Sequence, residues 1–258
     1  MHQQKFHGQA AFFIIRSCFS IISILFQSSP HSTRTEGERS HLCKMASTRQ
    51  LSSPSPPSSE PGAVLFETER LVVRRYKLED AQALAEAGNY LEVSNAMRDR
   101  FPSPYTADAA KTWLESPTNC PPEYPTRQGV FLKAQYDTTS ETSEGEGRLV
   151  GSLGIEPEGD VNYRMWTLGY FFTPPSWGKG YATEAVSAFV RWMLQTWPEL
   201  NRIEASAYGH NEASRRVLVK SGFILEGARR QSAEKLGVLR DEIIYGFIRS
   251  DMEKERHQ

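Results

Sequence analysis

Residues 169–185 read GYFFTPPSWGKGYATEA, and the reading of the whole chain turns on them. A strand ends at Thr173-Pro174-Pro175, where proline removes the ladder donors. The turn Trp177-Gly178-Lys179-Gly180 leads directly into a helix over Tyr181–Thr196, which carries Ala182, Ala185, Val186, Phe189, Val190 and Met193 on one face. At a helix start the first N–H groups lack intrahelical partners, and the macrodipole favours negative charge. Two glycines let the backbone approach an anion closely, and Lys179 adds positive charge, so the turn suits a pyrophosphate. A tight strand-to-helix turn with nothing bound fits the same residues. Two nucleotide motifs are excluded. Thr173 and Gly180 stand where a Walker A loop needs Gly and Ser/Thr, and Thr183 stands where the dinucleotide G-x-G-x-x-G pattern needs its third glycine.

On the C-terminal side, a short connection (197–202) leads into a strand over Arg202–Tyr208. There Ile203, Ala205 and Ala207 alternate with Glu204, Ser206 and Tyr208. Strand, helix and strand form a β-α-β unit, which predicts a locally parallel pair in a mixed sheet. Asn211 is a natural N-cap for a short helix ending near Gly222, with Ser214 on its first turn and Arg215 and Arg216 behind. Strands at Phe223–Leu225 and Glu242–Ile248 follow. On the N-terminal side, strands are predicted at Leu71–Val73, Val130–Gln135, Leu149–Ile155 and Tyr163–Phe172, and helices over Lys77–Met97 and from Thr106 through Leu114. Residues 137–147 carry only acidic charge and read as a solvated hairpin loop.

Composition narrows the function. With 30 Lys and Arg against 31 Asp and Glu over 258 residues, the charge balance excludes a nucleic-acid binder held by phosphate neutralisation. No apolar run is long enough to span a bilayer, so stable membrane insertion is not expected. The three cysteines (18, 43, 120) have no C-x-x-C spacing, and of the six histidines (2, 7, 31, 41, 210, 257) only His210 lies inside the expected domain. That argues against a disulfide framework and against a Cys/His metal site.

Three segments are expected: 1–62 disordered or dispensable, a domain over 63–250, and a tail over 251–258. Residues 10–26, AAFFIIRSCFSIISILF, are apolar but cut by Arg16. They fit a secretory signal or anchor, a mitochondrial presequence, or text upstream of a true start at Met45. The expected location is cytoplasmic, or mitochondrial if residues 1–44 act as a presequence. The Ser/Pro-rich stretch Leu51–Gly62 has too little apolar area to offset its chain entropy.

The motif G-Y-F-F-x-P-x-x-W-G-K-G-Y-A-T-E-A, followed about thirty residues later by N-x-A-S-x-x-V-L-x-K-x-G-F, resembles the GNAT superfamily of N-acetyltransferases, most closely its RimJ/RimL-like branch. The opening E-T-E-R-L-V-V-R-R (67–75), the FPSPYT segment (101–106), the strand at Gly151–Ile155 and Glu226-Gly227 are similar to that branch too. The resemblance covers roughly residues 64–250. It implies an α/β fold: a mostly antiparallel sheet of six or seven strands, a central splayed parallel pair, and helices on both faces. It also implies acetyl-CoA in the splay and an amine acceptor, either a protein N-terminus or a small molecule, with the protein a monomer or homodimer. Carried over position by position, the strand end at Phe172 and Thr173 would meet pantetheine. Backbone N–H groups around Trp177, Gly178, Lys179, Gly180, Tyr181 and Ala182 would hold pyrophosphate, and Asn211 and Ser214 would line the thiol side.

The reaction is direct attack of an amine on a thioester, which needs a base for the amine proton and a donor for the leaving thiolate. The chain departs from common family patterns. It has Pro175 where many members carry Gln or Arg, Leu218 where many carry an acid Tyr, and Thr167 where the branch often has Glu. Ser214 is the alternative thiolate donor, and Glu204 and Tyr208 are further catalytic candidates, with His210 beside them. A CoA-binding module of the same fold without turnover is the competing reading, and a nucleotide phosphate-transfer protein a third.

Overall fold

Strand pairing places every other element. Eight strands, β1 (Val64–Glu67), β2 (Leu71–Arg75), β3 (Gln128–Leu132), β4 (Arg148–Pro157), β5 (Met165–Phe172), β6 (Arg202–Tyr208), β7 (Ile224–Lys235) and β8 (Val238–Ile248), form one sheet in the order β1-β2-β3-β4-β5-β6-β8-β7. The structure is a computed structural model, and it describes residues 49–118, 120–137 and 147–254. Neighbours are antiparallel except β5 and β6, which run parallel. Six helices accompany the sheet in the described residues: α1 (Ala81–Gly88), α2 (Leu91–Ala96), α3 (Ala107–Glu115), α4 (Tyr181–Thr196), α5 (Glu212–Lys220) and α6 (Arg249–Lys254).

The parallel pair has a short register: Met165 with Arg202, Trp166 with Ile203, Thr167 with Glu204. Both strands then continue, β5 to Phe172 and β6 to Tyr208, without pairing to each other. Each stays bonded on its outer edge, β5 to β4 as far as Phe172 with Gly151 and β6 to β8 as far as Tyr208 with Glu242. The result is a fork whose two inner edges are open. It is the splayed parallel pair that the sequence reading expects.

The sheet buries different side chains on its two faces. Ala185, Val186, Phe189, Val190 and Met193 of α4 are fully buried together with Trp166, Leu168, Ile203 and Ala205. Trp166, Trp197 and Tyr124 pack as one aromatic group, with Trp166 4.8 Å from each of the other two rings. On the opposite face Leu84 and Ala85 of α1, Ala110 of α3, Tyr105, Phe131 and Phe171 form a second cluster. The period-2 pattern of β6 accounts for this. Ile203, Ala205 and Ala207 are buried, while Arg202, Glu204, Ser206 and Tyr208 are only partly covered.

Several expectations from sequence need correction. The sheet has eight strands, not six or seven, because Val64–Glu67 adds an edge strand beside β2. The segment expected as one helix over Lys77–Met97 is a 3₁₀ turn (Leu78–Asp80) followed by α1 and α2, broken at Asn89-Tyr90. Gly88 and Asn89 favour that break, and Gly88 has a packing reason to lack a side chain: a Cβ there would collide with the Tyr105 ring. The strand expected over Val130–Gln135 ends at Leu132, and the one expected from Tyr163 begins at Met165. The last two strands are much longer than their apolar cores, forming the hairpin of β7 and β8.

Residues 49–62 have no regular structure, as their Ser/Pro content requires, but they are not detached from the domain. Leu51 is only 3% exposed, its carbonyl accepts from the Tyr124 hydroxyl at 2.7 Å, and Arg75 donates from Nε to the Ser58 carbonyl at 2.5 Å. Burial of Leu51 and the hydrogen bonds from Tyr124 and Arg75 fasten the strap at two points. Leu51 and Ser58 thus contact the domain expected over 63–250. At the other end Met252 is buried within α6, so the expected tail from 251 begins inside a packed helix. The remaining expectations for residues 1–48, for most of the acidic loop (138–146) and for residues 255–258 fall outside the described residues. No helix of the described residues is long and apolar enough to cross a membrane.

Leu51→Ala is expected to destabilise the domain by about 2–4 kcal/mol in urea unfolding, the range for emptying a buried leucine site. A change under about 0.5 kcal/mol would show that the strap is detached in solution.

Candidate active site

The fork ends where α4 begins. After Phe172 the chain turns through a 3₁₀ segment (Pro174–Ser176), passes Trp177, and enters α4 at Gly180. Gly178 and Gly180 have φ of +74° and +82°, the left-handed region that favours glycine, which is why the turn can be this short. Among the described residues no backbone carbonyl accepts from the N–H groups of Gly178, Lys179, Gly180, Tyr181, Ala182 or Thr183; the first helical bond is Glu184 N–H to Gly180 C=O. A run of N–H groups without a backbone acceptor thus stands at the positive end of a helix, with Gly178, Lys179 and Gly180 exposed and Tyr181 buried.

The turn is fastened from two sides. The Trp177 indole donates from Nε1 to the Phe172 carbonyl at 2.7 Å, and the Thr173 and Ser176 hydroxyls pair at 2.7 Å in a buried contact. From the β1–β2 turn, Arg70 reaches across. Its Nη1 donates to the Lys179 carbonyl at 2.9 Å, its Nε and Nη2 meet the Glu184 carboxylate at 2.7 and 2.6 Å, and its guanidinium lies 4.7 Å from the centre of the Tyr181 ring. Glu184 also accepts from the Thr68 hydroxyl at 2.5 Å and the Arg70 N–H at 3.0 Å. Burial by itself would raise the Glu184 carboxyl; the Thr68 hydroxyl and the two Arg70 donors outweigh it and hold the group below its usual value.

The other arm of the fork leads to α5. Asn211 caps that helix as expected from sequence, its Oδ1 accepting from the Ser214 N–H at 3.1 Å. The Ser214 Oγ lies 2.8 Å from the hydroxyl of Tyr170, which belongs to the opposite arm.

The residues expected at the site are therefore distributed as follows. Gly178, Lys179, Gly180, Tyr181 and Ala182 are together at the α4 start, with Tyr181 buried as part of the core. Thr173 is turned inward: it is 4% exposed, its N–H donates to the Val150 carbonyl, and its hydroxyl is taken by Ser176. Strand alternation from that bond places the backbone groups of Tyr170 and Phe172 on the edge toward the fork, but the Phe172 carbonyl is already occupied by Trp177. Glu204 sits on the last paired rung, in line with Thr167 and Glu156. Its carboxylate is 3.0 Å from Arg202 Nη2 and 3.7 Å from Arg229 Nη2. Arg202 is also bidentate to Glu226, at 2.6 and 2.5 Å, and Gly246 leaves room for that pair, since a Cβ there would collide with it. Tyr208 stacks on His210 with centroids 5.9 Å apart, farther along the same strand. Glu204 and Tyr208 alternate with the residues buried under α4, whereas Ser214 lies on the α4 side. The three catalytic candidates therefore stand on two sides of the fork.

Sequence reading missed the roles of Arg70, Glu184, Arg202 and Arg229. Arg70 and Glu184 are 114 positions apart, and nothing local marks either as one half of a tether. No group of three or more metal-ligating side chains occurs among the described residues.

Comparison with known proteins identifies the family and the fold. Residues 70–224 match the acetyltransferase (GNAT) domain family. The chain is 26% identical to the uncharacterized N-acetyltransferase YoaA of Bacillus subtilis (strain 168) over 185 residues, 72% of this chain and 97% of that protein. Among solved structures it is similar in fold to a ribosomal-protein-S5-alanine acetyltransferase from Vibrio fischeri, with TM-score 0.57 and 22% identity over 72% of this chain and 97% of that one. It is also similar to Mycobacterium smegmatis RimJ in complex with CoA-disulfide, with TM-score 0.57 and 19% identity over 70% and 83%. The chain belongs to the GNAT acetyltransferase family.

Because Glu184 is held below its ordinary value, its contribution is present above the usual carboxylate range and is lost as pH falls through the lowered folded value. Glu184→Gln is expected to destabilise by about 2–3 kcal/mol at neutral pH, the scale of hydrogen bonds to a charged group. The gap to the unsubstituted protein should close in acid. A gap that stays constant from neutral pH to about pH 3 would show that the charge of Glu184 is not what anchors α4.

Proposed function

We propose that this GNAT acetyltransferase moves the acetyl group of acetyl-CoA to a primary amine, with a protein N-terminus as the favoured acceptor class. The observation that carries the reading is the row of unpaired N–H donors from Gly178 to Thr183 at the mouth of a fork with two open backbone edges. Such a row suits a pyrophosphate, with Lys179 adding positive charge beside it. The Tyr170 backbone and the Phe172 N–H offer strand-like hydrogen bonds to the amide arm of pantetheine. Trp177 and Thr173 keep the turn in shape, and Asn211 and Ser214 border the thiol end. The ribosomal-protein-S5-alanine acetyltransferase among the structural relatives favours a protein acceptor over a small amine.

Placement on two sides of the fork divides the chemistry. The amine arrives protonated and must lose a proton before it can attack. Glu204 stands at the throat of the fork on the face away from α4, where it attracts the ammonium and takes its proton directly or through water. Tyr208 forms part of the wall on that side. Ser214, on the α4 side, donates to the sulfur as the thioester opens. Holding amine and thioester in one cleft supplies much of the rest of the acceleration.

Acetyl-CoA at about a hundredfold over its dissociation constant should stabilise the protein by roughly 2.7 kcal/mol, a rise in Tm of about 5–10 °C. Gly180→Glu, and Lys179→Glu at an exposed position with no packing to disturb, should both reduce that rise. With a bound donor established, thiol release is measured against a panel of N-terminal peptides and small amines. Glu204→Gln should lower kcat by about 10²-fold or more with little change in the acetyl-CoA KM. Binding without thiol release for any amine would instead identify a CoA-binding module whose carboxylate is neutralised by Arg202 and Arg229. Absence of any shift at millimolar acetyl-CoA would overturn the donor assignment.

A further inference from the structure

The Tyr170 hydroxyl reaches Ser214 across the fork beyond its last paired rung, and the function proposed above gives the Tyr170 side chain no role. Tyr170 lies on β5, three positions past Thr167, and Ser214 lies on α5, which follows the other arm. Their hydroxyl oxygens are 2.8 Å apart, and the Tyr170 hydroxyl is 3.2 Å from the Ser214 carbonyl. The neighbouring contacts leave little slack. Asn211 Oδ1 holds the Ser214 N–H at 3.1 Å, Arg215 donates to the Tyr245 hydroxyl at 3.2 Å, and the Tyr170 ring meets Phe172 edge-on at 6.4 Å.

We propose that Tyr170 is a positioning residue for the thiolate-leaving step: its phenol donates to Ser214 Oγ and thereby aims the serine proton into the fork, toward the sulfur. This rests on the acetyl-CoA reading above. Either hydroxyl of the 2.8 Å pair can be the donor, and in the proposed arrangement that role falls to the phenol. A phenol has one proton, and a serine hydroxyl has one that rotates among staggered positions. When the phenol proton points at the nearer oxygen, the Ser214 lone pair on that side is occupied. The serine proton must then point elsewhere, and polarisation along the chain of hydroxyls makes it a better donor. Burial raises the Tyr170 phenol above its usual value, with the Ser214 hydrogen bond acting against that, so the phenol stays protonated through neutral and mildly alkaline pH. No proton leaves Tyr170 or Ser214 in this scheme. As the C–S bond breaks, its electron pair goes to sulfur, Ser214 hydrogen-bonds that sulfur, and the proton that finally neutralises it is the one lost by the amine nitrogen.

A double-mutant cycle with steady-state thiol release tests the assignment on the full chain. Tyr170→Phe should lower kcat about tenfold with the acetyl-CoA KM unchanged, and should cost less than about twofold once Ser214→Ala is present. The thermal shift with acetyl-CoA should persist in all three variants. A Tyr170→Phe loss of equal size with and without Ser214, or a loss confined to KM, would make the tyrosine a packing residue and overturn the proposal. So would no loss at all. If the unsubstituted protein itself neither binds acetyl-CoA nor releases thiol, the function proposed above falls and takes this assignment with it. An active protein with an additive cycle removes only the role of Tyr170.

Discussion

The loss of pairing after Thr167 and Glu204 is the constraint on which the rest of the structure depends. Two parallel strands that stayed bonded would leave a closed sheet with nowhere for a ligand arm to enter. Here each strand is held on its outer edge, β5 by β4 and β6 by β8, so separation leaves both strands ordered. Open inner edges normally carry an energetic penalty only when buried without partners; at a surface fork water or a ligand can satisfy them. The same separation sends the two strands to different helices, and so decides which side chains border the gap.

A second constraint fixes where the helix start lies relative to that gap. The Arg70–Glu184 tether joins the first hairpin of the domain to the first turn of α4, and Arg70 also holds the Lys179 carbonyl. Because Glu184 accepts from a hydroxyl, a backbone N–H and a guanidinium, the pair is satisfied at several points and is not a lone surface ion pair. Its placement also leaves the N–H donors of residues 178–183 free, since the carboxylate engages Arg70 and Thr68 and not the helix start. The anchoring contacts thus leave that row of N–H groups unengaged.

The arrangement of charge around the fork has a direction. On the face away from α4 the sheet presents carboxylates and guanidinia in alternation: Glu156 with Arg98 and Arg100, Glu204 with Arg202 and Arg229, Glu226 with Arg202. On the α4 side the groups beside the fork are neutral hydroxyls, Tyr170 and Ser214. In the proposed reaction an incoming ammonium ion and a departing thiolate would place opposite demands on their surroundings, and the two sides of the fork differ in the same sense.

The sequence by itself determined the mixed sheet, the β-α-β unit, the buried face of α4, the glycine turn and the Asn211 cap. Each of these rests on local periodicity or on residues within one turn of each other, which is what a linear pattern records. It also carried the family likeness, through a motif that is nearly continuous. Leu51 was misread because a single anchoring leucine does not change the composition of a Ser/Pro-rich stretch, and Gly88 marked a helix break only once Tyr105 was known to lie against it. Tertiary structure alone decided the Arg70–Glu184 tether, the guanidinia around Glu204 and the Tyr170–Ser214 bridge. Their partners lie far apart in the chain, except where strand register sets neighbours, and hydrogen bonds of about 3 Å depend on the position of whole elements and not on the identity of nearby residues.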